Sequence, residues 1–131
     1  MSQMGPAEIT LRVPGERRYA LVIRTMLGGV AILKDLDVDA MDDLRAAADE
    51  VCDCLLNQGA AVRALELSVR DGGRALTVSL EAELDEAALE TVSVDVGMTR
   101  AVLETLIPQV SLTMTEKGRI RRIDLTLPKA V

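Results

Sequence analysis

From Glu8 to Val13 apolar and polar residues alternate, with Ile9, Leu11 and Val13 on one side, which predicts a strand buried on one face. Pro14-Gly15 stops it. Over Glu16–Lys34 the period changes: Tyr19, Val22, Ile23, Met26, Leu27, Val30 and Leu33 recur at three and four, the spacing of an amphipathic helix. Gly28-Gly29 costs that helix stability and lets a neighbour come close. Asp35 to Asp39 reads as a turn in which Asp37 or Asp39 caps the free N–H groups of a second helix. That helix, over residues 42–58, has Met41, Leu44, Ala48, Val51, Leu55 and Gln58 on one stripe. Asp43, Ala47, Glu50, Cys54 and Asn57 lie on the next stripe, at the border of the core, and Gly59 fits the position just past the end.

The second half reads differently. Ala64–Arg70 and Ala75–Glu81 alternate with period two around Asp71-Gly72-Gly73-Arg74, which predicts a hairpin with Leu65, Leu67, Val69, Leu76, Val78 and Leu80 facing one core. Residues 83–95 are acidic and ambiguous, with a short helix around Glu86–Glu90 as one reading. Met98–Ile107 has helical spacing and is stopped by Pro108. Two further strands, Val110–Thr115 and Ile120–Leu127, flank Glu116-Lys117-Gly118-Arg119. The order β-α-α-β-β-(α)-α-β-β predicts an α/β two-layer sandwich, a five-stranded mixed or antiparallel sheet with two or three helices on one face. One domain is expected over residues 1–131, with 1–7 as a flexible N-terminal lead.

Composition narrows the chemistry. Of 131 residues 49% are hydrophobic, and Tyr19 is the only aromatic, so the core is built from Leu, Val, Ile, Ala and Met. Met26, Met41, Met98 and Met114 fall on expected core faces. The net charge of −6, with no alternation of aromatic and basic residues, argues against nucleic acid. Histidine is absent, which removes His-based acid–base chemistry, His metal ligands and triads. The longest apolar stretch, Tyr19 to Leu33, is interrupted by Arg24, Thr25 and Gly28-Gly29 and is too short for a membrane span; no secretory signal precedes it. Cys52 and Cys54 lie about 200° apart on a helix and cannot bridge each other, so reduced thiols and a cytoplasmic location are expected. Arg119, Arg121 and Arg122 make a basic cluster at the last hairpin, read as strand-edge charge or as a surface for an acidic partner.

Three motifs stand in order along this framework. The first is Asp43-Leu44, Ala47, Glu50, Cys54 and Gln58-Gly59 on the second helix; the second is Gly97-Met98-Thr99 before a helix; the third is Lys117-Gly118 before the last strand. Together with the element order they resemble the GHKL ATPase (Bergerat) fold, and more narrowly the small anti-sigma-factor serine kinases, from about Ile9 to Leu127. The resemblance implies ATP and Mg²⁺ as cofactors and Glu50 as general base. It puts Cys54 where the family has a metal-binding asparagine, Leu80 and Ala82 where it has an Asp-x-Gly box that reads adenine, and Gly97-Met98-Thr99 where it has a Gly-x-Gly phosphate loop.

Cys54 is a soft thiol where a hard cation wants oxygen. Leu80 continues the core alternation, and Thr99 is β-branched where close phosphate approach needs glycine. Residues 83–96 are short for an ATP lid. A nucleotide-binding-deficient member is therefore expected, with no cofactor, acting by protein–protein contact in transcriptional partner switching. The alternative is an active ATP-dependent serine/threonine kinase with Glu50 as base; a third reading gives the remodelled pocket another small ligand. Against the catalytic reading, Glu50 can be a helix-edge residue pairing with Arg24, Arg45 or Arg63, and Gly97 can serve only the backbone of the turn. Cys54 as a reactive thiol is disfavoured by Asp49, Glu50 and Asp53 nearby. The implied partners are a sigma factor or an anti-anti-sigma domain and a second copy of the chain. Residues 9–34 would carry those contacts, with Arg17, Arg18 and Tyr19 as exposed candidates.

Overall fold

The computed structural model describes residues 5–129. In chain order the elements are β1 (Ile9–Pro14), α1 (Ala20–Leu33), α2 (Val38–Leu56), β2 (Ala61–Asp71), β3 (Ala75–Asp85), α3 (Val96–Glu104), β4 (Gln109–Met114) and β5 (Ile120–Pro128). The strands make one sheet in the order β1-β2-β3-β5-β4. Every neighbouring pair is antiparallel, so of the two arrangements left open by the sequence the structure takes the all-antiparallel one. Leu65, Leu67, Val69, Leu76, Val78, Leu80, Ile123, Leu125 and Leu127 share a core with Ile23, Leu27 and Val30 of α1, Leu44, Val51 and Leu55 of α2, and Leu103 of α3. The intervening strand positions carry Arg12, Glu66, Glu81, Glu83, Arg122 and Asp124, which pair among themselves. Period-two alternation thus produces one buried and one charged face.

Several boundaries differ from the sequence expectation. The first helix begins as a single 3-10 turn, Arg17–Tyr19, before α1. The hairpin is longer than 64–81: a register shift between Val62 and Ala64 lets β2 and β3 stay paired as far as Ala61 and Asp85. No helix forms at Glu86–Glu90, only a turn in which Leu89 N–H donates to the Glu86 carbonyl. Of the two caps expected for the second helix Asp37 is the one used, while the third helix starts two residues before its apolar spacing suggested, at Asp95. Asp37 accepts from Ala40 N–H at 2.8 Å and Asp95 from Met98 N–H at 2.9 Å. Of the flexible lead expected over 1–7, residues 1–4 lie outside the described residues, while the Gly5 carbonyl accepts from Arg70 Nε at 2.9 Å.

At one end of the sheet, α1, the β2–β3 turn and the chain after β5 meet at charged groups. Lys34 Nζ contacts the Glu8 carboxylate at 2.8 Å and Asp71 at 3.1 Å, and Lys129 Nζ reaches Asp71 at 2.9 Å. Gly73, in the left-handed region at φ 88°, donates its N–H to Asp71 Oδ1. The Lys129 ammonium, the Gly73 N–H and the Lys34 ammonium hold the Asp71 carboxyl well below the usual carboxylate range. A depressed folded pKa contributes stability above the unfolded value of about 3.9, and that contribution is lost as pH falls toward the folded value. Thermal unfolding followed by circular dichroism is therefore expected to show Asp71→Asn less stable than the parent at pH 7. The difference should shrink as pH drops below about 4 and in high salt. A difference that grows on acidification would contradict the assignment.

Candidate functional site

α2 is the element that presents the candidate carboxylate. Its buried stripe, Leu44, Ala47, Ala48, Val51, Cys52 and Leu55, packs on the sheet. Glu50 is turned away from that stripe and is exposed. Of the three partners expected for it, Arg24 pairs with Asp49 at 3.3 Å and Arg63 with Asp85 at 3.2 Å, while the buried Arg45 Nε has no hydrogen-bond partner among the described residues. Among the described residues Glu50 makes no ion pair.

Glu50 does border a cleft. Glu50, Asp53 and Cys54 from α2 and Met98, Thr99, Val102 and Leu103 from α3 line a depression of about 350 Å³. Four of the residues singled out by the family pattern, Glu50, Cys54, Met98 and Thr99, therefore meet in space. The Cys54 thiol and the Thr99 hydroxyl are in direct contact there, at 3.9 Å. Burial pushes the Cys54 thiol up, the Thr99 hydroxyl pulls it back in part, and the Glu50 charge raises it again. Cys52 lies deeper and is pushed up to about 12, first by burial and then by Asp49 and Asp53. Neither thiol is activated toward nucleophilic or redox chemistry. Met98, expected in the core, is instead 62% exposed on the cleft's outer lip. The Asp95 cap starts α3 two residues early, and the helix buries Leu103, about 140° around from Met98 and off the expected Met98–Val102–Leu106 stripe.

The other family positions lie outside the cleft. Leu80 is 1% exposed, paired across the sheet with Leu67 and Ile123. Ala82, opposite Leu65, is also buried. Neither lines the depression. Gly97 is in the first turn of α3, outside the left-handed region, and a Cβ there would meet only Asp95 Oδ1 at 3.6 Å. Its backbone freedom is not used, contrary to the structural reading of that glycine. Among the described residues no group of three or more Cys, Asp or Glu side chains is placed to hold a metal ion. The oxygen donors at the cleft are Glu50, Asp53 and Thr99, and Asp53 is already engaged by Arg17.

Sequence reasoning missed two features. Arg119, expected as surface charge, is 3% exposed and bonds inward to Gln58, Glu86 and Glu90. An acid-rich stretch preceding a basic turn was the available signal. The second is the outer face of α1, where Leu21, Val22, Ile32 and Leu33 are exposed together with the nearby Val38 of α2. The period-3.6 reading had placed Val22 and Leu33 in the core. In fact α1 is apolar on both sides, with Arg24 its only charge. Of the exposed candidates, Arg17 is tied to Asp53, and Tyr19 is half-buried against the core with the Arg18 guanidinium 5.1 Å from its ring centre.

No family model matches the chain. Among characterised proteins, the anti-sigma-F factor RsbW from two strains of Mycobacterium tuberculosis is similar to it, 32% identical over 83 residues. That stretch is 63% of this chain and 49% of RsbW, so the chain spans about half the length of the curated relatives it matches. Among the described residues no helix is long and apolar enough to cross a membrane.

Proposed function

We propose that this chain is an anti-sigma-factor-like regulator that works by protein contact, as a homodimer joined through the outer face of α1, and that it holds no Mg-nucleotide. The similarity to RsbW supports the regulatory class. The observation that carries the contact reading is the exposed apolar side of α1, since a helix apolar all round is one that something covers. Against a nucleotide, Leu80 offers adenine no hydrogen-bond partner and is sealed in the core. Cys54 puts a thiol where Mg²⁺ takes oxygen. Thr99 puts a β-branched side chain where the resemblance expects a phosphate-loop glycine, and its hydroxyl contacts the Cys54 thiol at 3.9 Å. A buried polar group of the base left without a partner costs about 1–3 kcal/mol. Phosphoryl transfer, which rests on positioning and metal charge, has little here to act through.

The proposed protein partner is a sigma factor or an anti-anti-sigma domain. Titration calorimetry of the chain with MgATP, and then with each sigma factor of its own genome in the presence and absence of MgATP, tests this. The expected result is no heat from MgATP and submicromolar binding of one sigma factor that ignores nucleotide. Micromolar MgATP binding abolished in Glu50→Ala would instead establish the alternative, a working serine/threonine kinase with Glu50 as base. Binding of no sigma factor would remove that partner class.

A further inference from the structure

Residues 86–92 have neither helix nor strand partner, yet their backbone is heavily engaged. The turn between β4 and β5 does this. Lys117 Nζ donates to the carbonyls of Glu86 (2.9 Å), Ala87 (3.1 Å) and Leu89 (2.6 Å), which uses all three protons of its ammonium group. Arg119 donates through Nη1 to the Glu86 carboxylate and the Glu90 carbonyl, both at 3.1 Å. Its Nε donates to the Gln58 carbonyl at the end of α2, at 2.9 Å. Val92 N–H donates in turn to the Lys117 carbonyl at 2.8 Å. Between the two cations, Gly118 is in the left-handed region at φ 86°, and a Cβ there would lie 2.1 Å from the Val92 carbonyl oxygen. Only glycine lets the two segments come this close. The Gln58 side chain completes the arrangement, bonding both the N–H (2.6 Å) and the carbonyl (2.8 Å) of Ile120.

We infer that 86–92 is a fastened strap, with Lys117-Gly118-Arg119 as its buckle, and that it holds α3 in place as one wall of the α2–α3 cleft. The strap runs directly into the Asp95 cap of α3, and Arg119 links it to the C-terminal end of α2. Both walls of the cleft are thereby referred to one fixed point. The cleft is preformed and keeps its shape whether or not something occupies it. This holds independently of what the protein binds.

Amide hydrogen exchange read by NMR on the full chain tests the strap. In the parent protein the Leu89 and Val92 amides, donors to Glu86 and Lys117, are expected to be protected by about a hundredfold or more relative to an open coil. Lys117→Met keeps the aliphatic stem and removes the three charge-assisted bonds. It is expected to lower protection at Leu89, Val92 and Thr99 by about tenfold while the β2–β3 amides keep theirs. Glu86→Gln serves as a second variant should Lys117→Met fail to fold, with the same local pattern expected. Unprotected Leu89 and Val92 amides in the parent would overturn the inference. So would variants whose loss is absent, or spread evenly over the sheet.

Discussion

Leu80→Asp, the change that would put a carboxylate where the resemblance expects an adenine-reading one, is expected to unfold the domain instead of creating a nucleotide site. Leu80 is flanked in register by Leu67 and Ile123, and its side chain is sealed in the core. Truncation to alanine alone removes a buried leucine and costs about 2–5 kcal/mol. Aspartate adds an unpaired carboxyl in apolar surroundings, a further penalty of several kcal/mol even after the group neutralises itself. The combined loss is of the order of the whole stability of a domain this size, about 5–15 kcal/mol. Urea unfolding followed by far-UV circular dichroism should show Leu80→Ala folded with a lowered midpoint and Leu80→Asp without a folded baseline. A folded Leu80→Asp with a near-parental midpoint would mean that position 80 opens on a polar cavity after all.

The second large effect concerns α1. Leu21→Glu combined with Ile32→Glu is expected to turn the proposed dimer into a monomer at tens of micromolar in sedimentation velocity, about a hundredfold or more in the dissociation constant. Because the two side chains are 66% and 73% exposed, the thermal stability of the monomer should change by no more than about 0.5 kcal/mol. Gly29 gives a sharper version. Nothing lies within 4 Å of a Cβ added there, so within one chain Gly29→Ala has only its helix propensity to gain, about 1 kcal/mol. If a second helix crosses at Gly28-Gly29, the same methyl blocks its approach. The expected outcome is therefore a more stable monomer that associates less well. A parent that stays monomeric at all concentrations, or a double variant that still dimerises, would rule out this face.

Most of the fold was legible because periodicity reports burial. The strict alternation at Leu65–Val69 and Leu76–Leu80 and the stripe Leu44–Leu55 describe surfaces that do face one core. The failures have physical reasons. Val22 and Leu33 fit a helical period, but α1 is apolar on both sides, so the pattern could not say which side the chain itself buries. Met98 was misjudged because α3 turns its Leu103 side, not the Met98–Val102 side, to the core, and the end of β3 because a bulge, not the apolar spacing, sets where the strand stops. At the candidate site, the meeting of Glu50, Cys54, Met98 and Thr99 follows from the helical stripe and the family order. The absence of Leu80 and Ala82 from that cleft is consistent with the core alternation read for Leu80. For Arg119 the acid-rich stretch before the basic turn was only a weak signal, since its burial depends on Gln58, Glu86 and Glu90, contacts separated from it by some thirty to sixty residues.

The chain has one tyrosine and no tryptophan or phenylalanine, and that tyrosine stands at the junction of the 3-10 turn and α1, its ring under the Arg18 guanidinium. Intrinsic ultraviolet fluorescence from this protein is therefore a single-point signal from the start of α1. A ligand or partner that reaches the N-terminal end of that helix can report itself through Tyr19 emission without any attached dye. Events at the strap or in the α2–α3 cleft, carried by residues with no chromophore of their own, have no direct optical reporter.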